Sequence, residues 1–332
     1  MESEQTAANP TTQPKPKPME SDASSRKVIL DVDPGVGDAL AVCLSLFDPT
    51  LEVVAVTATG GNVSPRQASH NLQAIVEQLD PPRWPRIGEA DEDQPLLANN
   101  HWLWGEDGFC GADIKCAELH NRHASTKIIA EEIRKAPGEV TLVAGGPLSN
   151  IASVLQMEPN LAQQIGHLII VGGTLDGSGD VTPAAEFNIY CAAEAAKRVI
   201  NTPATKTMLP LGVTSQAALT FGALNHLPKE ETNKGALLHR ILPPAFQAYR
   251  QKLGLEELIV PEAVAVAAVV HPELFTTESF PCDVETSGDL TFGATVIDRR
   301  RRPDEQANID VAVDVDSAGV VDYLLRELSR TE

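Results

Sequence analysis

One local pattern recurs along the chain, and it limits the fold more than any other feature. A short run rich in Val, Ile and Leu gives way to a Gly-containing polar turn, and helical apolar spacing follows. The runs fall at 28–30, 51–59, 140–144, 167–171 and 206–211, with a shorter one at 85–87. They lack the apolar–polar alternation of a half-exposed strand, so both faces are expected to be covered. Strands alternating with helices in this way predict an α/β protein with a mostly parallel central sheet and helices on both faces. In such sheets ligands bind at the C-terminal edge of the strands.

The first unit is the most informative. The run Val28-Ile29-Leu30 leads into Asp31, Asp33 and Asp38, with Pro34, Gly35 and Gly37 breaking the strand before helical spacing begins at Ala39. One acid near a helix N-terminus is ordinary dipole complementarity. Three within eight residues repel one another unless protonated or neutralised. An all-oxygen set suits a hard cation such as Ca²⁺ or Mg²⁺. Glu262 is a further oxygen candidate, in the first turn of an apolar helix behind Pro261, where a dipole partner is the plainer reading. Ser64-Pro65 opens the second helix as cap and first residue, and that helix runs to about Leu79. Asp180, Glu186 and Asn188 sit in an irregular polar stretch after a strand, where they suit either vicinal hydroxyls or turn and cap duties. The stretch 88–122 carries Trp102, Trp104 and several glycines and reads equally as a binding loop or a surface excursion. Helices are expected at 126–135, from 151, at 192–200, 233–252 and 256–270 and at the C-terminus, with strands near 282–286, 291–298 and 307–314.

Composition excludes several classes. The 332 residues carry 46 acidic against 26 basic side chains, a formal charge of −20. Nucleic acid and anionic membranes, which need basic surface, are therefore not expected partners. No apolar run approaches the ~18 residues of a membrane span. The five cysteines form no CxxC pair, and a reducing cytoplasmic setting is expected, with Cys43 and Cys191 as core thiols. Residues 1–26 lack large apolar side chains and are expected to form a disordered tail, and 27–332 a single domain. There is no Gly-x-Ser-x-Gly elbow, and Asp33-Pro-Gly-Val-Gly lacks the third glycine of a dinucleotide fingerprint.

The motifs resemble those of the inosine/uridine-preferring nucleoside hydrolases. Asp31-Val-Asp-Pro-Gly-Val-Gly-Asp-Ala39 is similar to that family's N-terminal signature, Asp-x-Asp-Pro-Gly-x-Asp-Asp-Ala. Thr59-Gly-Gly-Asn62, Trp104-Gly-Glu-Asp-Gly108, Gly146-Pro-Leu-Ser-Asn150, Thr182-Pro-Ala-Ala-Glu-Phe-Asn188 and Gly293-Ala-Thr-Val-Ile-Asp298 follow in order. The resemblance implies a Rossmann-like single domain that binds Ca²⁺ and hydrolyses the N-glycosidic bond of a nucleoside, in purine and pyrimidine salvage, commonly as a homodimer or homotetramer. Position by position it implies Asp33 as metal ligand and general base, and Asp38, the Gly145 carbonyl and Glu262 as further ligands. It gives Asn62, Asp180, Glu186 and Asn188 to the ribose, with Asp31 behind the ligands. Gly37 stands where the family has a ribose-holding Asp, Pro261-Glu262 where it has His-Asp, Asp180 for an Asn, and Trp104 for a loop His. These departures leave two readings: a hydrolase of altered specificity, or a ribose- or nucleoside-binding protein impaired in turnover. If Gly37 is simply a lost ligand, Gly37→Asp should raise activity.

Overall fold

The computed structural model describes residues 25–112, 114, 116, 123–300 and 306–330. The expected N-terminal tail lies almost entirely outside these residues, as does part of the loop before 123 and of the Arg299–Arg302 run.

Strands β1 (Arg26–Val32), β2 (Leu51–Ala58), β3 (Arg86–Gly88), β4 (Val140–Ala144), β5 (His167–Val171) and β6 (Lys206–Leu209) are joined by helical crossovers. They form an eight-stranded sheet with Ile309–Val315 and Phe275–Phe280, in the order β3-β2-β1-β4-β5-β6, then Ile309–Val315, then Phe275–Phe280. All pairings are parallel except the last, which is antiparallel. The apolar runs are strands because successive side chains enter two different cores. Val28, Leu30 and Val32 face one cluster, with α1 (Val36–Phe47), α2 (Pro65–Leu79) and the helices Asn233–Ala248 and Pro261–Val270. Ile29 faces the other, with Ile128, Ile151 and Val199 from the opposite helical layer. Ser64 caps α2 through its hydroxyl, with Pro65 at the first turn, as expected. Cys43 and Cys191 are buried free thiols.

One expectation needs correction. Residues 256–260 are not helical: Glu257–Leu258 is a short strand paired with Leu219–Thr220, and the helix begins at Pro261. Proline has no N–H to place in a helix interior and its fixed φ suits the first position. The predicted helix 233–252 ends at Ala248 and passes into a π-turn, Tyr249–Leu253. The strands expected near 282–286 and 291–298 are present as a small separate hairpin, Cys282–Val284 with Thr295–Ile297, and the edge strand Phe275–Phe280 is one for which the sequence carries no expectation.

Asp31, fully buried, stitches the centre of the sheet together. Its Oδ1 accepts hydrogen bonds from Thr57 Oγ1 on β2 (2.6 Å) and from Asn150 Nδ2 (2.9 Å). Asn150 also donates to Ala58 O (2.8 Å), and the Gly145 and Gly146 amides donate to Asp31 O (2.8 and 3.2 Å). The C-terminal ends of β1, β2 and β4 are thus held in one place. Asn150→Ala strips one donor from a buried carboxyl and one from a buried carbonyl. It should destabilise the protein by about 1–3 kcal/mol, read as a lower urea midpoint at unchanged m-value.

Candidate active site

Everything that follows β1, β2 and β4 converges on Asp33. Its carboxylate is wholly buried, and Oδ2 accepts the Asn62 amide at 2.6 Å. Two glycines permit this approach: a methyl at Gly61 would lie 2.0 Å from Asp33 Oδ2, and one at Gly146 would lie 2.8 Å from Oδ1. Asp38, one turn into α1, turns Oδ2 back to accept the Gly35 amide at 3.0 Å. The other oxygens, Asp33 Oδ1 and Asp38 Oδ1, are buried without a hydrogen-bond partner. With Asp31 Oδ2, which likewise has no partner, three orphaned carboxylate oxygens lie at one sheet edge, and they cost free energy unless they are bound or protonated.

The electrostatics agree. Burial, and then the charge of Asp38, push Asp33 well above the ordinary carboxylate range. Burial raises Asp38 to about 6. Burial, and secondarily Asp180, raise Glu186 to about 8 despite its hydrogen bonds from backbone amides. Burial and the neighbouring Asp38 push Glu262 up strongly as well.

Glu262 comes from the first turn of Pro261–Val270, and its Cγ passes beside Gly145. A methyl at Gly37 would lie 2.0 Å from Glu262 Oε2 and 3.1 Å from Cδ, so the Glu262 carboxylate lies against the bare backbone of α1. Glu186 caps Phe187–Cys191, accepting the Asn188 and Ile189 amides, and also accepts the Gly173 amide at 3.0 Å. Asn188 Nδ2 donates to Gly145 O (2.7 Å) and Val171 O (3.1 Å), bracing the ends of β4 and β5. The Gly145 carbonyl therefore already has one partner. Asp180 accepts the Phe187 amide at 2.8 Å.

Most of these residues, though not Asp33 or Gly145, line a cavity of about 600 Å³. Asp38, Asn62, Asp180, Glu186, Asn188 and Glu262 form its polar part; Trp102, Trp104, Tyr249, Leu253, Leu255 and Pro261 supply apolar surface. Trp104 and Tyr249 pack with ring centroids 5.4 Å apart. The loop bearing Trp104 is pinned twice. Lys252 Nζ donates to Trp102 O and Leu103 O (2.7 and 3.0 Å), and Asn71 Nδ2 joins Asp107 O to Pro34 O (2.8 and 2.9 Å). Within the stretch after residue 88, Asn99, Asn100, Trp102, Leu103 and Trp104 thus form a wall of the cavity. Two lining residues carried no sequence signal. Asn100 Nδ2 donates to Asn62 Oδ1 at 2.8 Å, and Tyr249 closes the far side. A lone Asn in a polar loop and a Tyr at the end of a helix look like any others.

Among the described residues no three His, Cys, Asp or Glu side chains stand together as a ready metal cluster. The donor set nonetheless fits a hard cation: the orphaned atoms, Asp33 Oδ1 and Asp38 Oδ1, are carboxylate oxygens.

Comparison with known proteins agrees with the motif order. A family model described as inosine-uridine preferring nucleoside hydrolase matches residues 28–322. The non-specific ribonucleoside hydrolase RihC of Salmonella paratyphi A is 36% identical over 297 residues, covering 88% of this chain and 95% of its own. RihC of Escherichia coli is 35% identical over 306 residues, covering 91% and 98%. Among solved structures, the plant nucleoside hydrolase PpNRh1 superposes with a TM-score of 0.83 at 27% identity, covering 92% of this chain and 99% of its own. The purine-preferring ribonucleoside hydrolase of Gardnerella vaginalis gives 0.83 at 27%, covering 92% and 98%. The chain belongs to the inosine-uridine preferring nucleoside hydrolase family.

Proposed function

We propose that this protein hydrolyses the N-glycosidic bond of a ribonucleoside or related N-riboside to free base and ribose, with Ca²⁺ as its cofactor. The observation that carries the reading is the pair of orphaned, buried oxygens on Asp33 and Asp38 beneath a cavity with one acidic and one aromatic side. Asp33, Asp38, the Gly145 carbonyl and Glu262 would hold the ion. When bound, it would lower the pKa of a water and anchor hydroxyls.

The chain's own groups account for the rest. The bond from C1′ to the base nitrogen breaks, and its electron pair leaves with the base. The sugar ring takes on oxocarbenium character, which the surrounding carboxylates stabilise. The water oxygen bonds to C1′, and its proton passes to Asp33. Asn62, Asp180, Glu186 and Asn188 line the cavity where the sugar hydroxyls would bind. Trp104 and Tyr249 line the cavity and supply apolar surface for the base.

Pro261 lines the cavity and has no proton to give a departing base. That favours a second reading, a riboside-binding protein without turnover. A panel of purine and pyrimidine ribonucleosides with added Ca²⁺ decides between them. Base release is expected, and Asp33→Asn should cut kcat by roughly 10²–10⁴-fold. If no riboside is cleaved while ribosides still raise Tm, the second reading holds.

The buried acids also make stability depend on pH. Asp38 at about 6 and Glu186 at about 8 keep protons in the folded chain that the unfolded chain releases in the ordinary carboxylate range. Their contribution to stability is therefore lost as pH rises from about 4 through those values. In EDTA the urea midpoint should fall between pH 5 and pH 8, and Asp38→Asn should flatten that fall. Ca²⁺ should raise the midpoint more at pH 8 than at pH 5. An unchanged slope in Asp38→Asn would count against a buried, uncompensated Asp38.

A further inference from the structure

Position 37 and position 262 are far apart in sequence and occupy the same few cubic ångströms. A methyl on Gly37 would lie 2.0 Å from Glu262 Oε2, well inside any non-bonded contact. The far end of the Glu262 side chain is therefore where a side chain at 37 would begin. Along its path, Glu262 Cγ would stand 3.4 Å from a methyl on Gly145, and that methyl 3.3 Å from Asp38 Oδ1. The Glu262 carboxylate is thus channelled over two glycines, beside Asp38. Gly37 and Glu262 both line the cavity.

Local physics gives no reason for glycine at 37. It lies in the first turn of α1 and does not have a positive φ, so backbone geometry does not require it. Glycine within a helix is a net cost relative to alanine. The missing Cβ has a reason only in the space it leaves for Glu262.

We infer that Gly37 is a socket for Glu262, and that the Glu262 carboxylate seated in it faces the cavity and accepts a hydrogen bond from a sugar hydroxyl. This rests on the riboside reading above. It makes Glu262 a substrate-holding residue and Gly37 a positioning residue that acts through it. It also reverses the simple expectation for Gly37→Asp: alone, the new side chain collides with Glu262, so binding falls instead of rising.

A thermodynamic cycle tests the inference without turnover. Gly37→Ala, Glu262→Ala and the double variant are unfolded thermally in EDTA, and each is titrated with D-ribose in the presence of Ca²⁺. In the unsubstituted background Gly37→Ala should lower Tm, because the methyl meets the carboxylate. In the Glu262→Ala background the same change should raise Tm, because only helix propensity remains. The Ca²⁺ affinity of each variant is measured first by calorimetry of the ion alone, and Ca²⁺ is then kept saturating. Each single variant should weaken D-ribose binding roughly 10–100-fold, the loss of one charged hydrogen bond, and the double variant should be no weaker than the worse single. Weakening that disappears at saturating Ca²⁺ overturns the sugar contact. Gly37→Asp combined with Glu262→Asp returns a carboxylate from the other side of the socket and should bind D-ribose within about threefold of the unsubstituted protein, the agreement expected of an intact hydrogen bond. Glu262→Gln keeps the shape, so Gly37→Ala should still lower its Tm.

The socket is overturned if Gly37→Ala changes Tm equally in both backgrounds. The sugar contact is overturned if Glu262→Ala leaves D-ribose affinity unchanged. If the unsubstituted protein binds no riboside, the functional reading itself fails, and the sugar contact fails with it, while the Tm cycle still decides the socket.

Discussion

The structure is built around carboxylates that it buries with no cationic side chain beside them among the described residues. Asp31, Asp33 and Asp38 lie within eight residues, and all three are almost wholly removed from solvent. Burying a charge is costly unless it is paired or satisfied by hydrogen bonds. Asp31 meets that requirement in part through Thr57, Asn150 and its own strand neighbours, and works as a brace. Asp33 and Asp38 each have one oxygen satisfied by a backbone amide and one left over. The satisfied oxygens fix the geometry, and the unsatisfied ones create the demand for a ligand.

The surrounding architecture follows from holding those acids still. The parallel sheet brings the ends of β1, β2 and β4 side by side, so Gly61 and Gly146 can close to van der Waals distance on Asp33 from both sides. Asn188 and Glu186 extend the same framework to β5, by binding the backbone of Gly145, Val171 and Gly173. Their side chains therefore both line the cavity and hold up its floor. A substitution at either position would disturb the position of the Asp33 loop as well as any contact with a bound molecule.

Much of this was legible in the sequence, for a definite reason. Strands covered on both faces need continuous apolar runs, and β1, β2, β4 and β5 have them. Phe275–Phe280 was not legible because Thr276, Thr277, Glu278 and Ser279 are exposed on the sheet edge, where no burial selects for apolar residues. The Asp33 cluster was visible as an excess of acids at a strand end. Asn100 and Tyr249 were not, because only the tertiary fold carries them from 38 residues after Asn62 and from the end of a separate helix to the cavity wall. Local periodicity has no means of recording such distances.

The departures at 37, 261 and 262 illustrate the same limit more sharply. Read along the chain, Gly37 is a missing carboxylate and Glu262 an acid one methylene too long. In space the two changes are complementary: the methylene gained at 262 moves an oxygen to within 2.0 Å of where a Cβ at 37 would stand. A hydrogen-bonding site depends on where an oxygen lies and not on which residue delivers it. The Glu262 carboxylate therefore reaches the space beside Gly37 from a separate element of the fold, while Pro261 brings to the cavity wall a side chain with no proton to give.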